Sequence, residues 1–338
     1  MRLDGTGYHE SLEHAAEQAL AAEADGLDTF WVTETKTDAF LAAAVAAQRT
    51  GRIGIGTNIA VALARSPMTV AVQANDVQAL CGGRFALGLG SQVKGHIERR
   101  FSMPYDRPAA RMREFVLAIR AIWEAWASGG TLEFQGEFYR HSLMTPMFDP
   151  GPNPHGTPPI LLAAVGPLMT QAAGEVADGI MLHGFTTEAY LRAETVPALE
   201  RGAAKAGRTL DGFQLVLPCM VAADEDPARR EELVAGVRGQ IAFYGSTPAY
   251  RRVLEHHGWE EVGERLTAMS KRGEWAAMAG VVPDEMVERI AVVGTPAEAA
   301  AELECRFGDV VTRLVLPDVL SGPARQALAE ALRARLPA

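Results

Sequence analysis

The sequence predicts one (β/α)₈ barrel, or TIM barrel, in which eight parallel strands alternate with helices. Two observations favour it. Short apolar runs alternate eight times with alanine-rich amphipathic segments, a pattern typical of an α/β protein with a parallel sheet. The chain has 338 residues, 48% of them hydrophobic, and barrels commonly form a single domain at roughly 250 residues or more. An open, doubly wound sheet is the alternative arrangement.

The first four strands are predicted at residues 2–7, 29–33, 53–59 and 84–89. The segment after the first strand carries Leu12, Ala15, Ala16 and Ala19 at helical spacing, which predicts a helix over 9–24. A second helix extends to about residue 47. A third follows Pro67, because proline suits the first turn of a helix.

The other four strands are predicted at residues 159–164, 179–183, 213–221 and 312–316, and a closing helix begins near residue 323. Two long segments interrupt the alternation of strands and helices. Residues 91–158 follow the fourth strand and hold a helix to about residue 126 and a hairpin-like piece at 131–139. Residues 224–290 follow the seventh strand and are helical. We interpret both as insertions within a single domain over 1–338.

Composition excludes several classes of function. The net charge is −10, so the protein lacks the basic footprint of a nucleic-acid partner. The N-terminus has no signal-peptide pattern, and no apolar stretch approaches the ~20 residues of a membrane span. The three cysteines are far apart, and neither they nor the histidines have metal-site spacing. These features predict a cytoplasmic protein with no metal site and no membrane association.

Candidate site residues follow from the rule that a barrel's active site lies at the carboxyl ends of its strands. The residues at those ends are His9, Glu34, Asn58, Gly90, Ser91, Ala164, Val165, Gly166, His183, Asp224 and Asp318. Glycines and small residues let a planar ring or a phosphate approach the backbone. The stretches 88–91 and 163–166 are equally consistent with plain structural turns.

The charged candidates are open to two interpretations each. Glu34 is either an acid or base or a helix cap. His183 is either a proton donor or a hydrogen-bonded histidine at the rim. Arg65, Lys94 and Arg100 either hold a phosphate or belong to a solvated face.

Five stretches together resemble the luciferase-like monooxygenase superfamily, the relatives of bacterial luciferase. They are residues 83–91 (GRFALGLGS), 57–59 with 65–67, 103–108 leading into 111–114, 163–164 leading to 177–179, and 293–296. They keep their order and spacing over nearly the whole chain. Within the superfamily the pattern is most similar to the branch that uses coenzyme F420, a 5-deazaflavin.

The resemblance implies a barrel with insertions, a cofactor ring at its carboxyl face and a homodimer. It implies a non-prolyl cis peptide at Asn58–Ile59 behind the ring, and a phosphate near Ser91 and the turn 164–166. The cofactor-binding residues it implies are Asn58, Ile59, Gly90, Ser91, Ala164, Val165 and Gly166. The implied activity is hydride transfer between C5 of coenzyme F420 and a small organic substrate.

The chain departs from the family pattern after the second strand. Related chains often carry a histidine there as the acid or base, but here residues 34–38 read Glu-Thr-Lys-Thr-Asp. Glu34, Asp38 and His183 are therefore the candidate catalytic residues. Two alternatives stay open: an FMN-dependent monooxygenase that works with a separate reductase, and a non-catalytic deazaflavin-binding protein.

Overall fold

The computed structural model describes residues 1–320 and 322–335. The strands are β1 (Arg2–Gly7), β2 (Thr29–Val32), β3 (Gly54–Thr57), β4 (Ala60–Val61), β5 (Phe85–Gly90), β6 (Phe134–Gln135), β7 (Arg140–His141), β8 (Ile160–Ala163), β9 (Gly179–Met181), β10 (Gln214–Pro218), β11 (Met220–Ala223), β12 (Ala291–Gly294) and β13 (Arg313–Leu316). The α-helices are α1 (Leu12–Ala24), α2 (Ala39–Arg49), α3 (Pro67–Leu80), α4 (Lys94–Arg99), α5 (Pro108–Ser128), α6 (Pro167–Val176), α7 (Glu188–Tyr190), α8 (Val196–Lys205), α9 (Pro227–Gly245), α10 (Arg251–His257), α11 (Glu260–Arg272), α12 (Trp275–Met278), α13 (Asp284–Ile290), α14 (Pro296–Phe307) and α15 (Pro323–Arg333).

Eight parallel strands form a closed barrel. Their hydrogen-bonded order is β3-β2-β1-β13-β10-β9-β8-β5, and β5 pairs again with β3 to complete the ring. The short strand β4 extends the line of β3 and pairs with β5. The predicted fold class, a (β/α)₈ barrel with insertions after its fourth and seventh strands, is therefore confirmed.

By its internal contacts the chain divides into two compact units. The larger comprises residues 4–181 and 198–214, and the smaller comprises residues 1–3, 182–197, 215–320 and 322–335. The single-domain organisation over 1–338 stays a prediction.

Alanines explain how the first helices of the larger unit pack. Helices α1 and α2 lie against each other, and their buried residues are almost all alanines, including Ala15, Ala19, Ala42 and Ala46. Such short side chains let the helices approach closely at little cost in side-chain entropy. The same alanines produced the helical periodicity of the sequence.

The two insertions have different contents. The first, in the larger unit, holds α4, α5 and the antiparallel pair β6–β7, which is the predicted hairpin-like piece. The second, in the smaller unit, contains the helices α9 to α13. No helix in the described ranges, 1–320 and 322–335, is long and apolar enough to cross a membrane.

The prediction of one strand over 213–221 was wrong. That stretch forms β10 and β11, and β11 pairs in parallel with β12 in a separate two-stranded sheet. Pro218 ends β10, where a residue without an N–H interrupts the ladder. Strand β12 was missed because its four residues directly follow α13 and so resemble the end of a helical segment.

The contact between β3 and β5 leaves no space for a side chain at Gly88. The Thr57 hydroxyl donates to the Gly88 carbonyl at 2.7 Å, and the Gly88 N–H donates to the same hydroxyl at 3.0 Å. A Cβ atom on Gly88 would lie 1.9 Å from the Thr57 carbonyl oxygen. Since that oxygen belongs to the backbone, it cannot move aside without displacing β3.

We therefore expect Gly88→Ala to destabilise the protein by about 3 kcal/mol and to lower Tm by roughly 6–12 °C. The control is Gly236→Ala in α9, where an added Cβ meets nothing within 4 Å, so stability should hold or rise by about 0.5–1 kcal/mol. Thermal unfolding followed by circular dichroism measures both. Equal Tm values for the two variants would contradict this account of the contact.

Candidate functional site

The register of three neighbouring strands aligns the candidate residues of the larger unit. Gly7 of β1 pairs with Val32 of β2, and Val32 pairs with Thr57 of β3. Glu34 follows Val32 by two residues, and Asn58 follows Thr57 directly. Because parallel strands end at one edge of their sheet, these side chains leave the barrel at the same level.

The backbone changes direction at Asn58–Ile59. The prediction of a non-prolyl cis peptide at this bond is confirmed. It separates β3 from β4, so the strand predicted over 53–59 ends at Thr57, and the short strand β4 follows at Ala60–Val61. Beyond it, Val61 pairs with Gly90 of β5.

Ile59 packs directly on the backbone of Gly90. A Cβ atom on Gly90 would lie 2.8 Å from both Cγ1 and Cδ1 of Ile59, closer than carbon atoms approach without a clash. Glycine at position 90 therefore permits this packing. The structure thus brings together three of the predicted cofactor-binding residues, Ile59, Gly90 and the adjoining Asn58.

Ser91 lies half-buried at the end of β5, in a tightly held turn. Its hydroxyl donates to the Gln92 carbonyl at 3.1 Å, and the Tyr105 hydroxyl donates to the same carbonyl at 3.3 Å. Gln92 itself has a φ of 57°, in the left-handed region that non-glycine residues rarely adopt. An anion at Ser91 would have to draw the hydroxyl hydrogen away from the Gln92 carbonyl.

The turn 164–166 leads from β8 into α6. Gly166 is the N-cap residue of α6, and no side chain caps this helix. A Cβ on Gly166 would meet nothing within 4 Å, so the space before the helix is open. The first N–H groups of a helix and its dipole attract anions. This turn can therefore hold a phosphate or a carboxylate.

Glu34 and Asp38 are both bound to one arginine. Arg65 Nη1 donates to Glu34 Oε2 at 2.8 Å, and Arg65 Nη2 donates to Asp38 Oδ2. Burial lowers the pKa of Arg65, but the two carboxylates more than offset this and raise it. The interpretation of Arg65 as a phosphate ligand is therefore not supported, because its guanidinium already faces two anions.

Asp38 also begins helix α2. Its Oδ1 accepts from the N–H groups of Phe40 and Leu41 at 2.9 and 3.0 Å, which is the bonding pattern of an N-cap. The capping role considered for Glu34 thus belongs to Asp38. The sequence held this signal, since an aspartate precedes the alanine-rich run of α2.

The other basic side chains near Ser91 have partners within the protein. Arg100 donates to the Thr35 carbonyl at 3.0 Å and lies over the Phe101 ring. Lys94 is exposed and lies 3.7 Å from Glu98. Such a pair exposed to water contributes little, so Lys94 keeps its freedom to meet an anion.

His9, at the end of β1, is 1% exposed. Burial lowers its pKa below the ordinary value of 6.5, which favours a neutral ring at pH 7. A side chain so enclosed is placed to pack within the larger unit. It could meet a substrate only after its neighbours move.

His183 belongs to the smaller unit, where aromatic side chains surround it. Its ring lies 4.2 Å from Tyr250 and 4.4 Å from Tyr244, measured between centroids. Nδ1 accepts from the Phe185 N–H at 3.0 Å, and burial lowers the His183 pKa to about 4. The ring is therefore neutral at pH 7, with its proton on Nε2. It can donate a hydrogen bond but holds no imidazolium proton to give up.

Sequence reasoning missed the partners of these residues. Tyr244 and Tyr250 lie in the second insertion, where no spacing links them to His183. Val61 was missed because it acts through its backbone, which accepts from Arg65 and donates to Glu34.

The chain is similar to known proteins over most of its length. The family model for luciferase-like monooxygenases matches residues 1–313. An uncharacterised protein of Mycobacterium tuberculosis, Rv1360, is 49% identical over 317 residues, which cover 94% of this chain and 93% of that protein. The 5,10-methylenetetrahydromethanopterin reductase of Archaeoglobus fulgidus is 30% identical over 284 residues, which cover 81% of this chain and 80% of the reductase.

Two solved structures share the fold. The coenzyme F420 dependent tetrahydromethanopterin reductase of Methanopyrus kandleri has a TM-score of 0.79 at 20% identity, over 98% of this chain and 97% of that one. The oxygenating constituent of 3,6-diketocamphane monooxygenase from Pseudomonas putida, in complex with FMN, has a TM-score of 0.70 at 16% identity, over 100% and 99% of the chains.

Protonation of His183 should make stability depend on pH. Its pKa is about 4 in the folded protein and about 6.5 when unfolded, so between these values the unfolded chain binds more protons. Stability is therefore lost as the pH falls through this window. The free energy of unfolding of the wild type should fall between pH 7.5 and pH 5, and about 2 kcal/mol of that fall should come from His183. We expect this part to be absent in His183→Asn.

Tm measured against pH checks this, with His96→Asn as the control because His96 is exposed. The control should follow the wild-type curve. A His183→Asn curve parallel to that of the wild type would mean that His183 titrates normally in the folded protein.

Proposed function

Because the chain belongs to the luciferase-like monooxygenase family, we propose that it is a coenzyme F420-dependent oxidoreductase. It transfers a hydride between C5 of the deazaflavin and a small organic substrate. The two reductases described above, one a homologue and one a structural neighbour, support this choice within the family.

The observation that carries the proposal is the open, uncapped N-terminus of α6 at Gly166. A cofactor with an anionic tail needs such a group of N–H donors in a protein whose net charge is −10. Ala164, Val165, Gly166 and Ser91 would hold the tail. Lys94 lies on the segment after Ser91 and would add a positive charge.

Ile59 and Gly90 would support the ring. Ile59 offers a half-buried apolar side chain, which packs on Gly90 where a Cβ would otherwise stand, and a flat aromatic system could lie against it. Asn58 adds a side-chain amide able to donate or accept a hydrogen bond. When bound, coenzyme F420 supplies two electrons as a hydride, and the protein orients the substrate and controls water and protons.

His183 stays a candidate catalytic residue, but as a hydrogen-bond donor and not as an acid that transfers a proton. Its neutral ring has one free donor, Nε2–H, because Nδ1 accepts from Phe185. Such a donor suits a substrate carbonyl or hydroxyl oxygen, whose developing charge it would stabilise. It does not suit a proton transfer that requires imidazolium at pH 7.

Further parts of the proposal concern partners and location. The substrate is a small molecule, and the net charge of −10 argues against a nucleic-acid partner. The family resemblance favours a homodimer, and the widely separated cysteines favour the cytoplasm.

Cofactor titrations test the proposal. The purified protein is titrated separately with coenzyme F420 and with FMN, and binding is followed by absorbance and fluorescence. We expect tight binding of F420 and turnover with a member of a panel of carbonyls, enones and alcohols. Binding of FMN alone would replace the proposal with an FMN-dependent monooxygenase, which the diketocamphane enzyme exemplifies. F420 binding without turnover across the panel would indicate a non-catalytic carrier or sensor.

A matched pair at Gly166 tests the anion site. Gly166 has φ −98° and ψ 160°, which any residue adopts, and its surroundings are open. Aspartate is a preferred N-cap residue, so Gly166→Asp should keep or raise Tm while its carboxylate competes for the same N–H groups. We expect at least about tenfold weaker F420 binding, equivalent to ~1.4 kcal/mol. Gly166→Ala should bind F420 as the wild type does. Unchanged F420 binding by Gly166→Asp would place the anionic tail elsewhere.

A further inference from the structure

Glu34 forms two hydrogen bonds through a single oxygen. Its Oε2 accepts from the Val61 N–H at 2.8 Å and from Arg65 Nη1 at 2.8 Å. The Glu34 side chain is only 7% exposed. A guanidinium and a backbone N–H are both strong hydrogen-bond donors to a carboxylate. Oε2 of Glu34 is therefore already occupied by two donors of the protein itself.

Arg65 binds the other side of the same peptide segment. Its Nη1 also donates to the Val61 carbonyl at 3.1 Å, so both backbone polar groups of Val61 are held by the Glu34–Arg65 pair. The Arg65 guanidinium also lies 5.5 Å from the centre of the Phe40 ring. Its side chain is 12% exposed, so water screens these contacts weakly.

Asp38 fixes the position of the arginine. One of its oxygens binds Arg65 Nη2, and the other caps helix α2. The guanidinium is thereby tied to the start of a helix. Together Glu34, Asp38 and Arg65, named here the Arg65 clamp, connect the segment after β2 to the segment after β3.

The segment that the Arg65 clamp holds is the one that carries Ile59. Val61 lies two residues beyond Ile59, and Val61 pairs with Gly90, on which the Ile59 side chain packs. A shift of Val61 would therefore move Ile59 relative to Gly90. Those two residues form the surface to which we assign the cofactor ring.

We propose that Glu34 and Asp38 are positioning residues, which act through Arg65 to hold the segment 58–61 in the shape that binds the cofactor, and that neither donates the proton. This inference deepens the proposed function and rests on it for the identity of the cofactor. It reassigns two residues that the sequence made candidates for acid–base catalysis.

The test compares Glu34→Gln with Glu34→Ala. The amide oxygen of glutamine can still accept from the Val61 N–H, whereas alanine removes the acceptor. If Glu34 positions the loop, Glu34→Ala should weaken cofactor binding by about 10- to 100-fold, and Glu34→Gln should fall between it and the wild type. If Glu34 is a proton donor, neither variant can supply the proton, so both should lose kcat equally while Kd stays unchanged.

Glu175→Ala is the matched control. Glu175 has a side chain 6% exposed and is paired with Arg113 and Lys205, so its removal likewise deletes a buried carboxylate that cationic side chains bind. It should lower Tm to an extent similar to Glu34→Ala, with cofactor Kd unchanged. Asp38→Asn is a second variant, since asparagine keeps the helix cap and removes only the charge facing Arg65. It should weaken cofactor binding in the same direction as Glu34→Gln.

Amide hydrogen exchange of the protein without cofactor gives a readout independent of activity. Exchange over residues 58–65 should be faster in Glu34→Ala than in the wild type or in Glu175→Ala, because the Val61 N–H loses its acceptor. Wild-type exchange and wild-type cofactor affinity in Glu34→Ala would overturn the inference. If the wild type bound neither F420 nor FMN, the proposed function would fail, and the exchange data alone would still decide whether the Arg65 clamp exists.

Discussion

The close approach of β3 and β5 is the constraint on which the rest of the larger unit depends. The two strands complete the ring, and they meet where the Thr57 hydroxyl exchanges hydrogen bonds with the Gly88 backbone. No side chain fits between them at Gly88. The residues just beyond this contact, Asn58 and Ile59 after β3 and Gly90 at the end of β5, are therefore placed by the barrel itself. The same glycine-rich stretch, 83–91, carried the family resemblance, so one sequence feature serves both closure and the candidate site.

In the larger unit, buried carboxylates hold backbone segments in place by accepting hydrogen bonds from their N–H groups. Buried carboxylates are costly unless paired and hydrogen-bonded, and Glu34 meets this condition through Arg65 and the Val61 N–H. Glu114 gives a second example, because its carboxylate accepts from the N–H groups of Glu137, Phe138 and Tyr139 at the turn between β6 and β7. In both cases a carboxylate from one segment fixes a turn of another. A carboxylate at a strand end is thus as suited to building a site as to performing chemistry in it.

The second insertion determines the state of His183 within the smaller unit. Tyr244 lies in the last turn of the long helix α9, and Tyr250 follows in the short link to α10. Both rings lie against His183 and leave it only partly exposed, and burial lowers its pKa to about 4. The insertion therefore changes the chemistry available to a histidine that the barrel strand places. Insertions of this kind allow one barrel to support different reactions.

The sequence by itself determined the barrel, the order of its strands along the chain and the location of its two insertions. Those features follow from the hydrophobic periodicity of each segment and from the prolines and glycines at its ends. Both are local properties that do not depend on which segments pack together. The predicted strand boundaries were wrong where the local pattern was ambiguous. One predicted strand proved to be two strands that separate at Pro218, and β12 was missed because it resembled the end of a helix. The cis peptide at Asn58–Ile59 was anticipated through family resemblance and not through spacing. Only the tertiary structure decided that Glu34 and Asp38 share Arg65, that Asp38 caps α2 and that His183 is neutral. The physical reason is that hydrogen-bond partners and burial depend on residues distant in the chain. The type of a side chain limits which partners are possible, but the fold selects the actual one.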